Sequence, residues 1–275
     1  MTIRIDTLGP TPHGMWRQGH VRVNRVERLG RVDRLWIHRN GTGLNVTHNL
    51  APDELNDDVA ELIADRLDAS SSGGQADFEL VFTGIVRSTV PGPFASWLRF
   101  YRNSLVRLED GRAAFAPVHQ RAHALIVGQS VVDLGSCFGF FPLRLAAAGL
   151  EVVATDISAS TMALLDGVAP ALGRALLTLA CDAAAVPLPD RCVDTVTVLH
   201  LLEHLSPVDA QSVVTEAMRL ARRRVVVAVP FEDTPRAIYG HIQRFDLDAL
   251  RRLGVSTGWR YSVDEYHGGW LVLDR

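Results

Sequence analysis

From residue 131 onward the chain repeats one pattern: a short apolar, β-branched run, a polar residue at its end, then a longer segment of helical period. The runs are residues 131–134, 151–156, 176–181, 193–199 and 225–229. Short, continuously apolar runs predict strands buried on both faces, and segments such as 142–149 and 158–165 predict the covering helices. Gly149 closes the first of these helices and Ser158 caps the second. Strand and helix in alternation specify a parallel α/β sheet with helices on both faces. Past the fifth strand, Asp246 starts a helix expected to end at Gly254. Residues 261–274 then read as a hairpin about Gly268 and Gly269, its turn bringing His267 and Trp270 towards the active edge.

The amino-terminal part is patterned differently. Residues 16–39 mix valines, Leu35 and Ile37 with arginines in loose alternation, broken near Leu29 and Gly30, which predicts antiparallel strands with one solvated face. Asn40 and Gly41 form a tight-turn pair, with residues 44–47 as the returning strand. A helix is expected over 52–67, a break at Ser70–Gly74, a strand over 78–82, and a helix carrying Trp97, Phe100, Tyr101, Leu105 and Leu108. That aromatic group suits either a core or a platform for stacking a sugar, and the arginines suit either a wet sheet face or an anionic ligand. A further helix over 113–127, with His119 and His123 at solvent or cofactor-edge positions, leads into the first parallel strand. The expected division is an α+β accessory region, 1–110, and an α/β ligand-binding domain, 111–275.

Composition narrows the partners. A chain of 275 residues with 47% hydrophobic content can bury a full core, and a net charge of −3 argues against a nucleic-acid partner. Every basic side chain is arginine, which with abundant alanine reflects codon bias. Cys137, Cys181 and Cys192 show no paired or metal-ligand spacing, which favours a reducing compartment. The first residues lack a signal-peptide core, and no run approaches the roughly 20 apolar residues of a membrane helix, so the expected location is cytoplasmic without a membrane span.

The candidate chemistry lies at the carboxyl ends of the parallel strands, where open α/β sheets bind ligands. After Asp133 the chain turns through Gly135, Ser136, Cys137, Phe138 and Gly139 into a helix at Phe140 and Phe141. Cys137 and Phe140 stand where a dinucleotide fingerprint needs glycine, so a pyrophosphate is poorly served. Asp156 ends the second strand, placed to accept hydrogen bonds from two ribose hydroxyls, and Asp182 ends the third. The fourth runs into His200, Leu201, Leu202, Glu203 and His204. His-x-x-Glu-His also matches an inverted zinc-peptidase motif, but that motif belongs within a long helix, not after a buried strand.

Asp133-x-Gly135-x-x-x-Gly139 followed by Asp156 and by Asp182-Ala183 resembles the cofactor site of the class I, Rossmann-like S-adenosylmethionine methyltransferases. The resemblance implies a seven-stranded sheet and S-adenosyl-L-methionine as cofactor, held by Asp133, Gly135, Ser136, Gly139, Phe140, Asp156, Ile157, Asp182, Ala183 and His200. Cys137 departs from the family's middle glycine. A histidine base is expected to take the acceptor's proton: His204 first, with His200 and His241 as further candidates and Glu203 in the same polar group. Quinone-biosynthesis O-methyltransferases resemble this segment too, but hold a divalent ion with a carboxylate where this chain has His200, so no metal is expected. An alternative role for Glu203 and His204 is a hydrogen-bonded brace under the cofactor.

Residues 135–142, 83–88 and 266–270 resemble the mycofactocin oligosaccharide methyltransferases. That likeness implies O-methylation of a sugar hydroxyl on an oligosaccharide acceptor. The alternatives are a small quinone, lipid or other natural-product hydroxyl, with or without metal assistance, and a non-catalytic module that binds S-adenosylmethionine.

Overall fold

The computed structural model describes residues 6–9, 12, 14–27, 34–69 and 73–275. The expected strand break at Leu29 and Gly30 and the serines 70–72 lie outside the described residues. The chain forms two compact units, residues 1–114 with 237–240, and residues 115–236 with 241–275.

The first unit is a four-stranded sheet covered by helices. Strands β1 (Met15–Gln18) and β2 (Val21–Arg25) pair antiparallel, as do β3 (Leu35–Asn40) and β4 (Gly43–His48), and β2 runs parallel to β4 in the order β1-β2-β4-β3. Period-two alternation buries Trp16, Val21, Val23, Leu44 and Val46 and leaves Met15, Arg17 and Arg22 exposed. Helices α1 (Val59–Ala69), α2 (Gln75–Thr89) and α3 (Pro93–Glu109) follow. The first begins later than the expected residue 52, because residues 52–58 are spent on turns tied by the Ala51 amide to Glu54 and the Asp58 amide to Asn56.

Residues 78–82, expected as a strand, lie inside α2. The helix is buried without a break from Leu80 to Thr89, so its sequence lacks the amphipathic period that would have identified it. Gly84 is the reason it can lie so close to the sheet: a Cβ there would fall 2.3 Å from Val23 Cγ2 and 2.7 Å from Trp16 Cε3. Trp97, Phe100 and Tyr101 are fully buried, with edge-on contacts from Trp97 and Phe82 to Phe100, so the aromatic group is core and not a stacking platform.

The second unit starts with α4 (Ala116–Leu125) and continues β5 (Ser130–Leu134), α5 (Phe140–Ala147), β6 (Glu151–Asp156), α6 (Ala159–Ala171), β7 (Leu177–Ala180) and β8 (Val193–Leu199). A 3-10 turn (Leu202–His204), α7 (Pro207–Leu220), β9 (Ala221–Val229), α8 (Leu247–Thr257), β10 (Arg260–Glu265) and β11 (Gly269–Asp274) complete it. The sheet order is β10-β11-β9-β8-β5-β6-β7, parallel from β9 to β7, with β11 antiparallel to both its neighbours. This is the expected α/β sheet of seven strands.

Alternation along β5 divides the core. Val132 and Leu134 face the layer that includes Val213, Val214 and Leu250, whereas Val131 packs with Val118, Phe141, Leu145 and Trp270. Helix α8 runs through Gly254 to Thr257 and closes at Gly258, whose φ of 69° is the left-handed conformation glycine favours. Arg222, Arg223 and Arg224 lie near the start of β9, and Trp270 is 1% exposed with its indole N–H bonded to the Tyr266 carbonyl, so it cannot face an acceptor. No described helix is long and apolar enough to cross a membrane.

Candidate functional site

The turn from β5 into α5 is built on backbone conformations that few residues adopt. Gly135, Cys137 and Gly139 have φ of 71°, 49° and 73°. Left-handed backbone is costly for a side chain, so Cys137 keeps by strain the shape the family's glycine would hold freely. Both glycines also lack room: a Cβ would meet Leu201 Cδ1 at 2.8 Å from Gly135 and Leu165 Cδ2 at 2.3 Å from Gly139.

Asp133 holds this turn from below. Its carboxylate is 3% exposed and accepts from Thr197 Oγ1 at 2.5 Å and Ser136 Oγ at 2.8 Å. Burial outweighs these bonds and pushes its pKa up to about 6. Ser136 in turn joins the turn to β6, its amide donating to the Thr155 carbonyl at 2.7 Å and its Oγ accepting from the Thr155 amide at 3.2 Å. Asp133 therefore shapes the turn.

Asp156 reaches the rim. One oxygen accepts from the Cys137 amide at 2.9 Å and the other from the Ser158 amide at 2.8 Å, which fixes the carboxylate across the mouth of the turn. The next residue, Ile157, is 81% exposed, an apolar side chain that folding leaves in water. Register carries the rim to β7: Asp156 pairs with Ala180, the Cys181 amide donates to the Asp156 carbonyl at 3.0 Å, and Asp182 follows, exposed, accepting from the Ala184 amide, with Ala183 half-buried. A positioned carboxylate, an exposed apolar side chain and a second carboxylate along one strand edge could hold a nucleoside without phosphates, with Asp156 available to a ribose diol and Ile157 and Asp182-Ala183 to a base. Phe140, 9% exposed, supports the start of α5.

The same edge of β8 and β9 carries the polar group. His200 has a φ of 53°, its amide bonds the Ala228 carbonyl at 2.8 Å, and its ring meets Phe115 edge-on at 4.9 Å. Glu203 is 1% exposed, with Oε1 3.2 Å from His200 Nδ1, yet neither carboxylate oxygen has a hydrogen-bond partner among the described residues; nor has His200 Nε2. The rings of His204 and His241 meet edge-on at 4.8 Å.

Three hydrogen bonds bind residues 241–243 to the 3-10 turn: the Ile242 and Gln243 amides donate to the Glu203 carbonyl at 2.8 and 3.3 Å, and Gln243 Nε2 donates to the Leu202 carbonyl at 2.7 Å. Glu232 then orients His241, its Oε2 lying 2.8 Å from His241 Nδ1. The expected residues thus fall into two groups, the rim at Asp156, Ile157 and Asp182 and the cluster at His200, Glu203, His204 and His241. Glu232 and Gln243 are additions. The position of Glu232, just past the end of the fifth parallel strand, was the available signal.

Residues 132–229 match the family model described as "Methyltransferase domain". No curated protein matches the chain significantly. Among solved structures, the PH0226 protein from Pyrococcus horikoshii OT3 is similar in fold, with a TM-score of 0.50 and 15% identity over 60% of this chain and 91% of that one. A SAM-dependent methyltransferase from Aquifex aeolicus has a TM-score of 0.48, 16% identity and coverage of 62% and 97%. Magnesium protoporphyrin IX methyltransferase from Synechocystis PCC 6803, solved with bound SAM, has a TM-score of 0.46, 17% identity and coverage of 78% and 95%. Sheet order, strand-edge carboxylates and the family match over 132–229 agree: this part of the chain is similar to methyltransferase domains of the Rossmann-like class, whose cofactor is S-adenosylmethionine.

Proposed function

We propose that this chain is an O-methyltransferase whose acceptor is a sugar hydroxyl, of the kind found on the mycofactocin oligosaccharide. S-Adenosylmethionine supplies an electrophilic methyl group on sulfur, so that an O–CH3 bond forms as the S–CH3 bond breaks and a neutral thioether leaves. The chain's own task is to hold the nucleoside at Asp156 and Asp182, align the hydroxyl, and accept its proton.

The observation that carries the reading is the convergence of His200, Glu203, His204 and His241 on the edge next to the donor turn. Thiol or amine acceptors need less help in losing a proton, whereas an alcohol needs a strongly basic or polarising site. His204, beside Glu203 and against the ring of His241, is the group proposed to take the proton. The sugar rests on the resemblance of residues 83–88, 135–142 and 266–270. A quinone, lipid or natural-product hydroxyl is the second reading, favoured by the metal-compatible spacing of Glu203, His204 and His241.

The experiment supplies S-adenosylmethionine with glucose oligosaccharides, with a catechol-type quinol, and with no acceptor. Mass spectrometry should show a methyl added to the oligosaccharide, matched by an equal amount of demethylated cofactor. Methylation of the quinol alone would replace the sugar reading with the second one. Tight cofactor binding with no product from any hydroxyl would leave a non-catalytic binding module.

A further inference from the structure

The sequence favours a site without metal, but the polar cluster is arranged for one. Glu203, His204 and His241 each offer a donor atom, and these atoms lie within 4.8 Å of one another. Donors around a tetrahedral ion with bonds of about 2.1 Å sit roughly 3.4 Å apart, so small side-chain rotations would close this set on an ion.

Glu203 supplies an independent reason. A carboxylate removed from water and denied hydrogen bonds is among the costliest arrangements in a folded chain. Both its oxygens are without hydrogen-bond partners among the described residues, at 1% exposure. The backbone on either side is firmly tied, since the Glu203 carbonyl accepts from the amides of Ile242 and Gln243 at 2.8 and 3.3 Å. The backbone is therefore held in place while the carboxylate has only the His200 ring beside it, Nδ1 at 3.2 Å, and no hydrogen-bond partner among the described residues, as expected of a ligand whose counter-charge is a cation.

His241 supplies a third. Its Nδ1 is engaged by Glu232 Oε2 at 2.8 Å, with Glu232 also accepting from the Arg236 amide at 3.3 Å. A histidine whose Nδ1–H is held by a carboxylate presents a neutral, electron-rich Nε2, the arrangement by which metal-binding histidines are oriented. Glu232 has no evident purpose in a site where His241 merely lines the edge.

We propose that Glu203, His204 and His241 bind one first-row divalent cation of the Zn2+ type, with Glu232 orienting His241. Two imidazoles and one carboxylate suit Zn2+ and its neighbours, whereas Mg2+ and Ca2+ prefer all-oxygen sets. What the ion would supply rests on the methyl-transfer reading: it would make a nearby acceptor hydroxyl lose its proton more readily, and would replace His204 in assisting that loss, the proton passing to solvent.

Untagged, chelator-treated protein would be titrated with Co2+ alone and the visible absorption of the bound ion followed. The expected result is saturation at one ion per chain, displacement by Zn2+, and no displacement by millimolar Mg2+. Glu203→Gln and His241→Ala should each weaken binding more than about 100-fold, and Glu232→Gln roughly 10- to 100-fold. Metal-free Glu203→Gln should melt no lower than the wild type, because it removes a buried carboxylate without a hydrogen-bond partner among the described residues, and should lose the rise in melting temperature that Zn2+ gives the parent.

Absence of saturable binding, displacement by Mg2+, or unaltered affinity in both Glu203→Gln and His241→Ala would overturn the proposal. Methyl transfer by protein that binds no ion would sink the cation and leave the transferase reading intact. Ion binding without methylation of any hydroxyl would sustain the site and sink that reading.

Discussion

At the scale of single residues, three carboxylates that look equivalent in the sequence have different tasks. Asp133, Asp156 and Asp182 each close an apolar run, and their spacing pointed to one edge of the sheet as the candidate ligand site. Burial separates them: Asp133 lies below the turn with both oxygens bonded to hydroxyls, while Asp156 crosses its mouth. No pattern in a linear sequence distinguishes a carboxylate two positions deeper in register, where Asp133 pairs with Ala154, from one at the strand's last position. Asp156→Ala removes the carboxylate proposed to accept from a ribose diol and also releases the Cys137 amide, so affinity for S-adenosylmethionine should fall roughly 10- to 100-fold. Calorimetric titration measures it. Unchanged affinity would mean that the donor lies elsewhere on the sheet. The cluster at 200–204 was partly legible in the same way, since polar residues interrupt an apolar run there. Residue 241 joined it only through the hydrogen bonds of Ile242 and Gln243, which link segments almost forty positions apart.

At the scale of elements, the parallel strands of the second unit were readable because each is apolar on both faces and separated from the next by a helix of clear period. Helix α2 was not. Its buried span, Leu80–Thr89, includes Thr83, Arg87, Ser88 and Thr89, and the last two are satisfied locally: Ser88 Oγ donates to the Gly84 carbonyl at 2.7 Å and Thr89 Oγ1 to the Ile85 carbonyl at 2.6 Å. Residues that look fit for a surface thus sit in a core, and the apolar run 78–82 imitates a strand. The close fit of α2 to the sheet gives a direct test. Gly84→Ala forces a methyl against Val23 and Trp16, both buried, and should destabilise the first unit by about 1–3 kcal/mol despite alanine's better helix propensity. Urea unfolding followed by tryptophan fluorescence would report it, and a stabilised variant would show that the sheet yields to the helix without cost.

At the scale of the whole molecule, each of the two units encloses a neutral histidine that the sequence could not assign. His48 accepts from the Leu50 amide at Nδ1, at 3.3 Å, and meets Ser88 Oγ through Nε2 at 2.8 Å. Burial, with Arg25 adding to it, brings its pKa down to about 3. His119, expected near solvent or the cofactor, is 8% exposed beside Phe141 and is likewise lowered to about 3, by burial first and then by the charges of Arg144 and His200. The unfolded chain protonates such a histidine below 6.5, the folded chain only near 3, so its contribution to stability is complete above 6.5 and is lost as pH falls. Asp133 in the same unit works in the opposite direction. Its folded pKa of about 6 lies above the unfolded 3.8, so the folded state holds the extra proton and gains stability as pH falls through that window. Each slope is at most about 1.4 kcal/mol per pH unit, and between pH 6 and 4 the two nearly cancel. Asp133→Asn should expose the histidine's slope, a loss of roughly 2–3 kcal/mol from pH 6.5 to 4.5 relative to the parent, whereas His119→Gln should expose the aspartate's and become relatively more stable over the same range. Hydrogen exchange on peptides from β5 and α4, corrected for the intrinsic rate at each pH, isolates this unit from the first. Parallel pH profiles for both variants and the parent would show that neither group is buried in the protonation state assigned to it.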